Sequence, residues 1–101
     1  MATISIKNSV DPAMDELIEA RIYFMLGSTL ASLRMLEVVI DKTAESAHSG
    51  SVVQCNLRAM EEHGRWHLIS SQQHELTHAL EGAVTRLRRS LLRQRKYRKL
   101  A

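Results

Sequence analysis

The chain has 101 residues, of which 45% are apolar and 25% are charged, and its net charge is +3. This composition is typical of a globular protein and excludes an intrinsically disordered chain, and the length suits a single domain, residues 1–101. A lone cysteine, Cys55, excludes an internal disulfide and a cysteine-rich zinc site. The N-terminus has no signal-peptide pattern, so we expect a cytoplasmic protein.

Positive charge is concentrated at the C-terminal end. Residues 86–101 contain eight basic side chains and no acidic one, whereas residues 1–85 carry a net charge of −5. A segment of this kind is typical of one that faces a polyanion or an acidic protein surface. We therefore predict a basic helical tail at 86–101, and assign polyanion or acidic-partner binding to Arg86, Arg89, Arg93, Arg95, Lys96, Arg98 and Lys99.

The first ten residues and the pair that follows them indicate two different elements. Residues 3–7 alternate polar and β-branched side chains, which fits either a short strand or an ordered N-terminal arm within residues 1–10. Asp11 and Pro12 are typical of a helix start, because Asp accepts bonds from free backbone N–H groups and Pro lacks one.

A long first helix is expected from Pro12 to about Ala47. Apolar residues recur along it at helical spacing, and others, such as Leu17 and Phe24, lie on its far side. A helix that is apolar on two sides must be covered on two sides, so we expect it to be the central element of the fold.

Two further helices are expected after a break at residues 46–50. The second helix is short and runs from Ser51 to about Gly64. Residues 65–69 form a connector, and a third helix then begins near Ser70 and continues to about Lys99. The third helix has a heptad-like apolar seam, formed by Leu76, Leu80, Val84, Leu87 and Leu91.

These elements predict an all-α fold, a small helical bundle of two long helices and one short helix. A thirty-residue helix is about 45 Å long, which exceeds the diameter of about 33 Å of a compact chain of this length. We therefore expect a homodimer that completes the bundle, with a monomeric three-helix bundle as the alternative. Partner binding is assigned to apolar positions of the long helices: Leu26, Leu30, Leu33, Leu36, Leu80, Val84, Leu87 and Leu91.

The segment His74-Glu75-Leu76-Thr77-His78 resembles the H-E-x-x-H helix of the zinc metalloproteases known as zincins. The resemblance implies two zinc ligands, His74 and His78, and a general base, Glu75. A third ligand is missing downstream, because no acid or histidine follows Glu81. On a helical wheel both histidines also lie opposite the apolar seam, in open water. We therefore expect no metal site and no catalysis.

Two other groups of residues have side chains suited to chemistry. Cys55 has no basic or histidine neighbour at helical spacing, so we expect a small core or interface residue and not a nucleophile. Carboxylates and imidazoles near the tryptophan form a pattern that acid–base chemistry uses, although a polar helix end is the interpretation we favour. They are Glu61, Glu62, His63 and His67.

We accordingly predict a small non-catalytic protein without cofactors. Its expected function is to bind another protein, such as a transcription regulator, and to modulate it as a regulator, adaptor or anti-activator. The alternative is a nucleic-acid-binding protein whose basic C-terminal helix neutralises phosphates. A metal-dependent hydrolase acting through His74–His78 is a distant third. The sequence indicates no small-molecule substrate and no transmembrane segment, since its longest uncharged run, Ile22 to Leu33, is too short.

Overall fold

The protein consists of a four-stranded β-sheet and two α-helices. The computed structural model describes residues 2–43 and 52–100, with side chains as far as Arg93. In chain order the elements are β1 (Thr3–Asn8), α1 (Asp15–Leu26), β2 (Leu33–Thr43), β3 (Val52–Glu61), β4 (Trp66–Gln73) and α2 (Leu76–Leu100). Short 3-10 turns at Pro12–Met14 and Gly27–Ser32 flank α1.

The strands lie side by side in the order β1-β2-β3-β4. β1 and β2 are parallel, and α1 is the crossover that joins them, because parallel neighbours need a long connection. β2, β3 and β4 are antiparallel. Gly64, at a φ of 94°, makes the tight β3–β4 turn, which is closed by a bond from the Glu61 N–H to the Arg65 carbonyl at 2.8 Å.

Both helices cover the same face of the sheet, and the hydrophobic core lies between them and that face. The strands contribute every second residue, as on β3, where Val53, Cys55, Leu57 and Ala59 are all buried. The helices contribute residues at helical spacing: Ile18, Ile22, Leu26, Leu76, Ala79, Leu80, Ala83, Val84, Leu87 and Leu91. The opposite face of the sheet, which we call the open face, has no helix on it among the described residues.

The prediction of an all-α bundle is wrong. The first helix ends at Leu26, where Gly27 adopts a φ of 51° and a ψ of −128°, a conformation that other residues adopt only with strain. Beyond the 3-10 turn the chain is extended, and the buried residues Leu36, Val38 and Ile40 recur at every second position. The apolar residues on the two sides of this boundary fit one helical spacing only by coincidence. Those before it belong to a short helix, and those after it belong to a strand.

The second predicted helix and the connector after it are also wrong. They form the hairpin β3–β4, with Leu57 opposite Ile69 and Arg58 opposite Leu68. The predicted break at residues 46–50 lies outside the described residues. The third helix exists, but it begins at Leu76 and not at Ser70, because residues 70–73 belong to β4.

The predicted homodimer loses its basis with the long first helix. Helical spacing would also place Val38 on the second apolar side of that helix, but Val38 lies in β2 and is covered by this chain's own helices. Of the eight positions assigned to partner binding, Leu30 is half-buried and the others are buried in the core: Leu26, Leu33, Leu36, Leu80, Val84, Leu87 and Leu91.

Within the described ranges, no helix combines the length and the apolar content needed to cross a bilayer.

Candidate functional site

The outer side of α2 carries a row of arginines that we call the arginine stripe: Arg86, Arg89 and Arg93. The three side chains are exposed, and their spacing of three and four residues places them on one side of the helix. The apolar seam of α2, which includes Leu87 and Leu91, faces the sheet. No acidic residue follows Glu81, so the stripe is not neutralised from within its own helix.

α2 lies close against β4, and two contacts show how. The Arg86 guanidinium donates a hydrogen bond of 2.6 Å from Nη1 to the carbonyl oxygen of Ser70. A Cβ on Gly82 would lie 2.9 Å from the Ser71 hydroxyl, so a larger residue there would force the Ser71 side chain to move. The arginine stripe is therefore held beside the outer edge of the sheet.

A buried polar network ties the middle of α2 to the β3–β4 hairpin. His67 Nε2 lies 2.9 Å from Glu61 Oε2, and His67 Nδ1 lies 3.1 Å from Ser90 Oγ. Glu61 and His67 are only 4% and 8% exposed. The geometry fits an Nε2–H that donates to the carboxylate and an Nδ1 that accepts the serine hydroxyl. Each buried polar group thus has a partner, and Ser90 is fixed one turn from Arg86 and Arg93.

The same three groups are those of a hydrolase triad, but their placement does not suit catalysis. Ser90 lies in the middle of a helix, where the neighbouring backbone N–H groups are already bonded within the helix and cannot stabilise an oxyanion. Glu61 and His67 are enclosed by the hairpin and α2. Of the predicted acid–base group, Glu62 and His63 are exposed in the hairpin turn and apart from this network. The network therefore positions α2.

The H-E-x-x-H segment does not lie within one helix. α2 begins at Leu76, so His74 and Glu75 precede it and the two histidines do not share one helical face. His78 Nδ1 lies 3.7 Å from Glu75 Oε2, and both side chains are well exposed. Among the described residues, no three potential ligands are grouped closely enough to hold a metal ion.

The other predicted site residues have simple positions. Cys55 is fully buried, and burial raises the pKa of its thiol to about 12, so it is not a nucleophile at neutral pH. α2 continues to Leu100 and includes the predicted tail, but the side chains of Arg95, Lys96, Arg98 and Lys99 lie outside the described set.

The fold and site define a two-layer α/β protein with a mixed sheet and an arginine-bearing helix. No protein-family model and no curated protein matches the sequence. The structure is similar to the N-terminal domain of Protein Y from Thermus thermophilus, with a TM-score of 0.65 and 17% identity, over 91% of this chain and 96% of that one. It is also similar to a ribosomal subunit interface protein from Coxiella burnetii, with a TM-score of 0.65 and 12% identity, over 95% of this chain and 99% of the other.

These similarities overturn the predicted function as well as the predicted fold. An anti-activator acting on a transcription regulator, and a metal-dependent hydrolase, were inferred for an all-α chain, and the neighbours of the observed fold are of neither kind. The alternative, a basic helix that binds nucleic acid by itself, is likewise unsupported, because α2 is packed along the sheet and supplies seven of the ten buried apolar residues that the helices contribute to the core.

Proposed function

We propose that this protein binds a ribosomal subunit and that the arginine stripe forms part of the contact. The observation that carries the proposal is the fold, which matches a ribosomal subunit interface protein over nearly the whole of both chains. The position of the stripe supports it, since Arg89 and Arg93 project from a helix that the core holds rigidly. The partner in this proposal is an assembled subunit, contacted by a folded surface.

The stripe is chemically suited to ribosomal RNA. A guanidinium group can donate two parallel hydrogen bonds to one phosphate, and it stays charged at any physiological pH. Residues 86 to 93 rise about 10 Å along the helix axis, so the three arginines can contact neighbouring phosphates of one RNA segment. Exposed acidic residues of α1, such as Glu16 and Glu19, lie outside this row and favour docking by one side of the molecule.

We further propose that the protein acts by occupying a surface, without catalysis, and that it resides in the cytoplasm with its ribosomal partner. The chemistry of the described residues supports this proposal. The Glu61–His67–Ser90 network is built into the packing of α2, and the thiol of Cys55 is buried.

Co-sedimentation with ribosomal subunits tests the proposal. The untagged chain is incubated with purified small or large subunits from the source cell and spun through a sucrose cushion at a series of salt concentrations. We expect it to pellet with one subunit, and the affinity to fall with salt because counterions are released from phosphates. Arg89→Glu with Arg93→Glu should weaken binding by at least about tenfold, since each arginine contributes a charge-assisted bond.

The matched control reverses two exposed cations of β2 that do not belong to the arginine stripe, Arg34 and Lys42. It changes the net charge by the same amount and should retain most of the affinity. Equal losses in the two double variants would show that net charge, and not the stripe, drives the association. A chain that pellets with neither subunit would overturn the proposal.

A further inference from the structure

The open face of the sheet carries an exposed apolar and aromatic patch on its β4 side. Trp66 is 45% exposed and Leu68 is 73% exposed, although both belong to a regular strand. Arg58 of β3 is paired with Leu68, and Met60 is paired with Trp66. The four side chains therefore point to the same side of the sheet and lie next to one another.

The cation and the ring in this patch are stacked. The guanidinium carbon of Arg58 lies 5.0 Å from the centre of the Trp66 ring, which is a cation–π contact. Arg58 Nη1 also lies 3.8 Å from Glu37 Oε1 on β2, so the guanidinium has a carboxylate neighbour on the adjacent strand. The result is an arginine guanidinium stacked over an aromatic ring, with an exposed leucine on the neighbouring strand position. We call these three residues the stacking platform: Arg58, Trp66 and Leu68.

Polar groups border the stacking platform on the side away from the hairpin turn. Asn56 of β3 faces Ser70 of β4, and together with Arg58 and Leu68 they line a shallow depression. The Gln54 amide lies 3.4 Å from Asn56 Oδ1 and 3.3 Å from Ser70 Oγ, which orients both groups. An amide and a hydroxyl next to a stacked guanidinium and aromatic ring match the requirements of a nucleobase, which has a π-face and a polar edge.

We infer that the open face binds an unpaired nucleotide of RNA, whose base stacks on the platform and whose edge is contacted by Asn56 and Ser70. The inference rests on the proposed ribosome association and locates a second contact of that interface. Aromatic rings and arginine guanidinium planes on a sheet are the groups on which proteins stack unpaired bases.

Continuity with the arginine stripe favours RNA over an apolar peptide. Ser70 contributes its hydroxyl to the depression on the open face, while its carbonyl accepts the bond from Arg86 at the outer edge of β4. A strand of RNA that leaves the depression across this edge passes Arg86, the first residue of the stripe. The carboxylates of the open face do not repel RNA phosphates at this edge. Glu37 is paired with Arg58, and Asp41 is bonded to Ser9 at the far end of β2.

The experiment uses the fact that Trp66 is the only tryptophan of the chain. The full chain is titrated with a short unstructured oligoribonucleotide and, in parallel, with an abasic oligonucleotide of equal length and charge. We expect stacking to quench the tryptophan fluorescence with the first ligand and to leave it nearly unchanged with the second. Equal responses to both ligands, or no response to either, would overturn the inference.

Variants separate stacking from charge and from folding. Affinity is measured by anisotropy of a labelled oligonucleotide, and Trp66→Ala should weaken it by about tenfold. Trp66→Phe, which keeps an aromatic face, should restore most of it. The control Phe24→Ala removes a more exposed ring, at 82%, from α1 and should change nothing. Equal losses of affinity in Trp66→Ala and Phe24→Ala would overturn the inference. It would also be overturned if unstructured basic or apolar peptides, and not RNA, quenched the tryptophan fluorescence.

Co-sedimentation distinguishes this inference from the proposed function. If wild type and Trp66→Ala pellet with the subunit equally well, the ribosome proposal stands and the nucleotide site on the open face is overturned. If the oligonucleotide binds with the expected quench but the chain pellets with neither subunit, the nucleotide site stands and the ribosome proposal is overturned.

Discussion

His67 shows how one side chain can set the position of a surface that it does not touch. It bonds Glu61 with one ring nitrogen and Ser90 with the other, so it joins the hairpin to the middle of α2. A buried carboxylate without its partner costs several kcal/mol, which makes this network specific for one placement of the helix. The arginine stripe owes its orientation along β4 to this network and to the bond from Arg86.

The pH dependence of the free energy of unfolding can test whether Cys55 is buried in the core. Burial raises the pKa of its thiol from 9.0 to about 12. Above pH 9 the unfolded chain releases the thiol proton while the native protein keeps it, so this contribution to stability is complete below pH 9 and is lost as the pH rises toward 12. The free energy of unfolding should fall by up to about 1.4 kcal/mol per pH unit in that window.

The measurement is urea unfolding across that pH range, for wild type and for Cys55→Ala. Other groups titrate in both proteins, so the difference between the two curves isolates the thiol. We expect this difference to shrink as the pH rises. Curves that stay parallel would show that Cys55 is accessible to water in the native state.

At the scale of the element, β2 is the segment where the helical prediction failed. Its burial alternates along the chain, with Val38 fully buried beneath the helices and Val39 half-buried on the open face. Adjacent side chains point to opposite faces only in a strand. Three consecutive β-branched residues, 38 to 40, also favour an extended chain.

We expect Val38→Thr and Val39→Thr to differ sharply in stability. The two substitutions are the same and keep the shape and the β-branching. At Val38 the new hydroxyl is buried against the helices and should lower the free energy of unfolding by about 1–3 kcal/mol. At Val39 it faces the open side, and the change should stay within about 0.5 kcal/mol.

The stabilities of both variants and of wild type are measured by chemical denaturation. An equal slope of the unfolding free energy against denaturant concentration would show that the transition is unaltered. Similar losses at the two positions would contradict the alternation of β2. The result is independent of the proposed function, because neither residue belongs to the arginine stripe or the stacking platform.

For the molecule as a whole, one chain supplies both sides of its core. The sheet contributes its inner face, α1 and α2 cover it, and buried side-chain polar atoms without a partner do not occur among the described residues. The two faces left for partners are then the outer sides of the helices and the open face of the sheet. The arginine stripe and the stacking platform lie where these two faces meet, at the edge of β4.

We therefore expect a monomer with a mass near 11.5 kDa in light scattering, and a cooperative melting transition. A stable mass of two chains would contradict this expectation. The outer side of α1 exposes Leu17, Tyr23 and Phe24, so weak self-association at high concentration is best tested with Phe24→Ser. If the association disappears in this variant, the contact between chains lies on α1. The core within the single chain would then be independent of that contact.

The sequence by itself determined what depends on composition and on strongly periodic segments. The charge division at residue 86 is a property of the sequence itself. The existence of α2 with its apolar seam could be predicted because the same helical periodicity continues over most of its twenty-five residues. The arginine stripe could be predicted for the same reason, since Arg86, Arg89 and Arg93 take their relative positions from the helix alone.

Only the tertiary structure decided which segments are strands and which residues meet. Apolar residues at positions 26, 33, 36 and 40 satisfy a helical spacing, and only pairing with β1 and β3 stabilises the extended form of β2. Ser90 is 23 residues from His67 and Trp66 is 8 residues from Arg58, and no local pattern relates them. These contacts depend on the hairpin register and on α2 packing against β4, both of which arise from burial of the whole core.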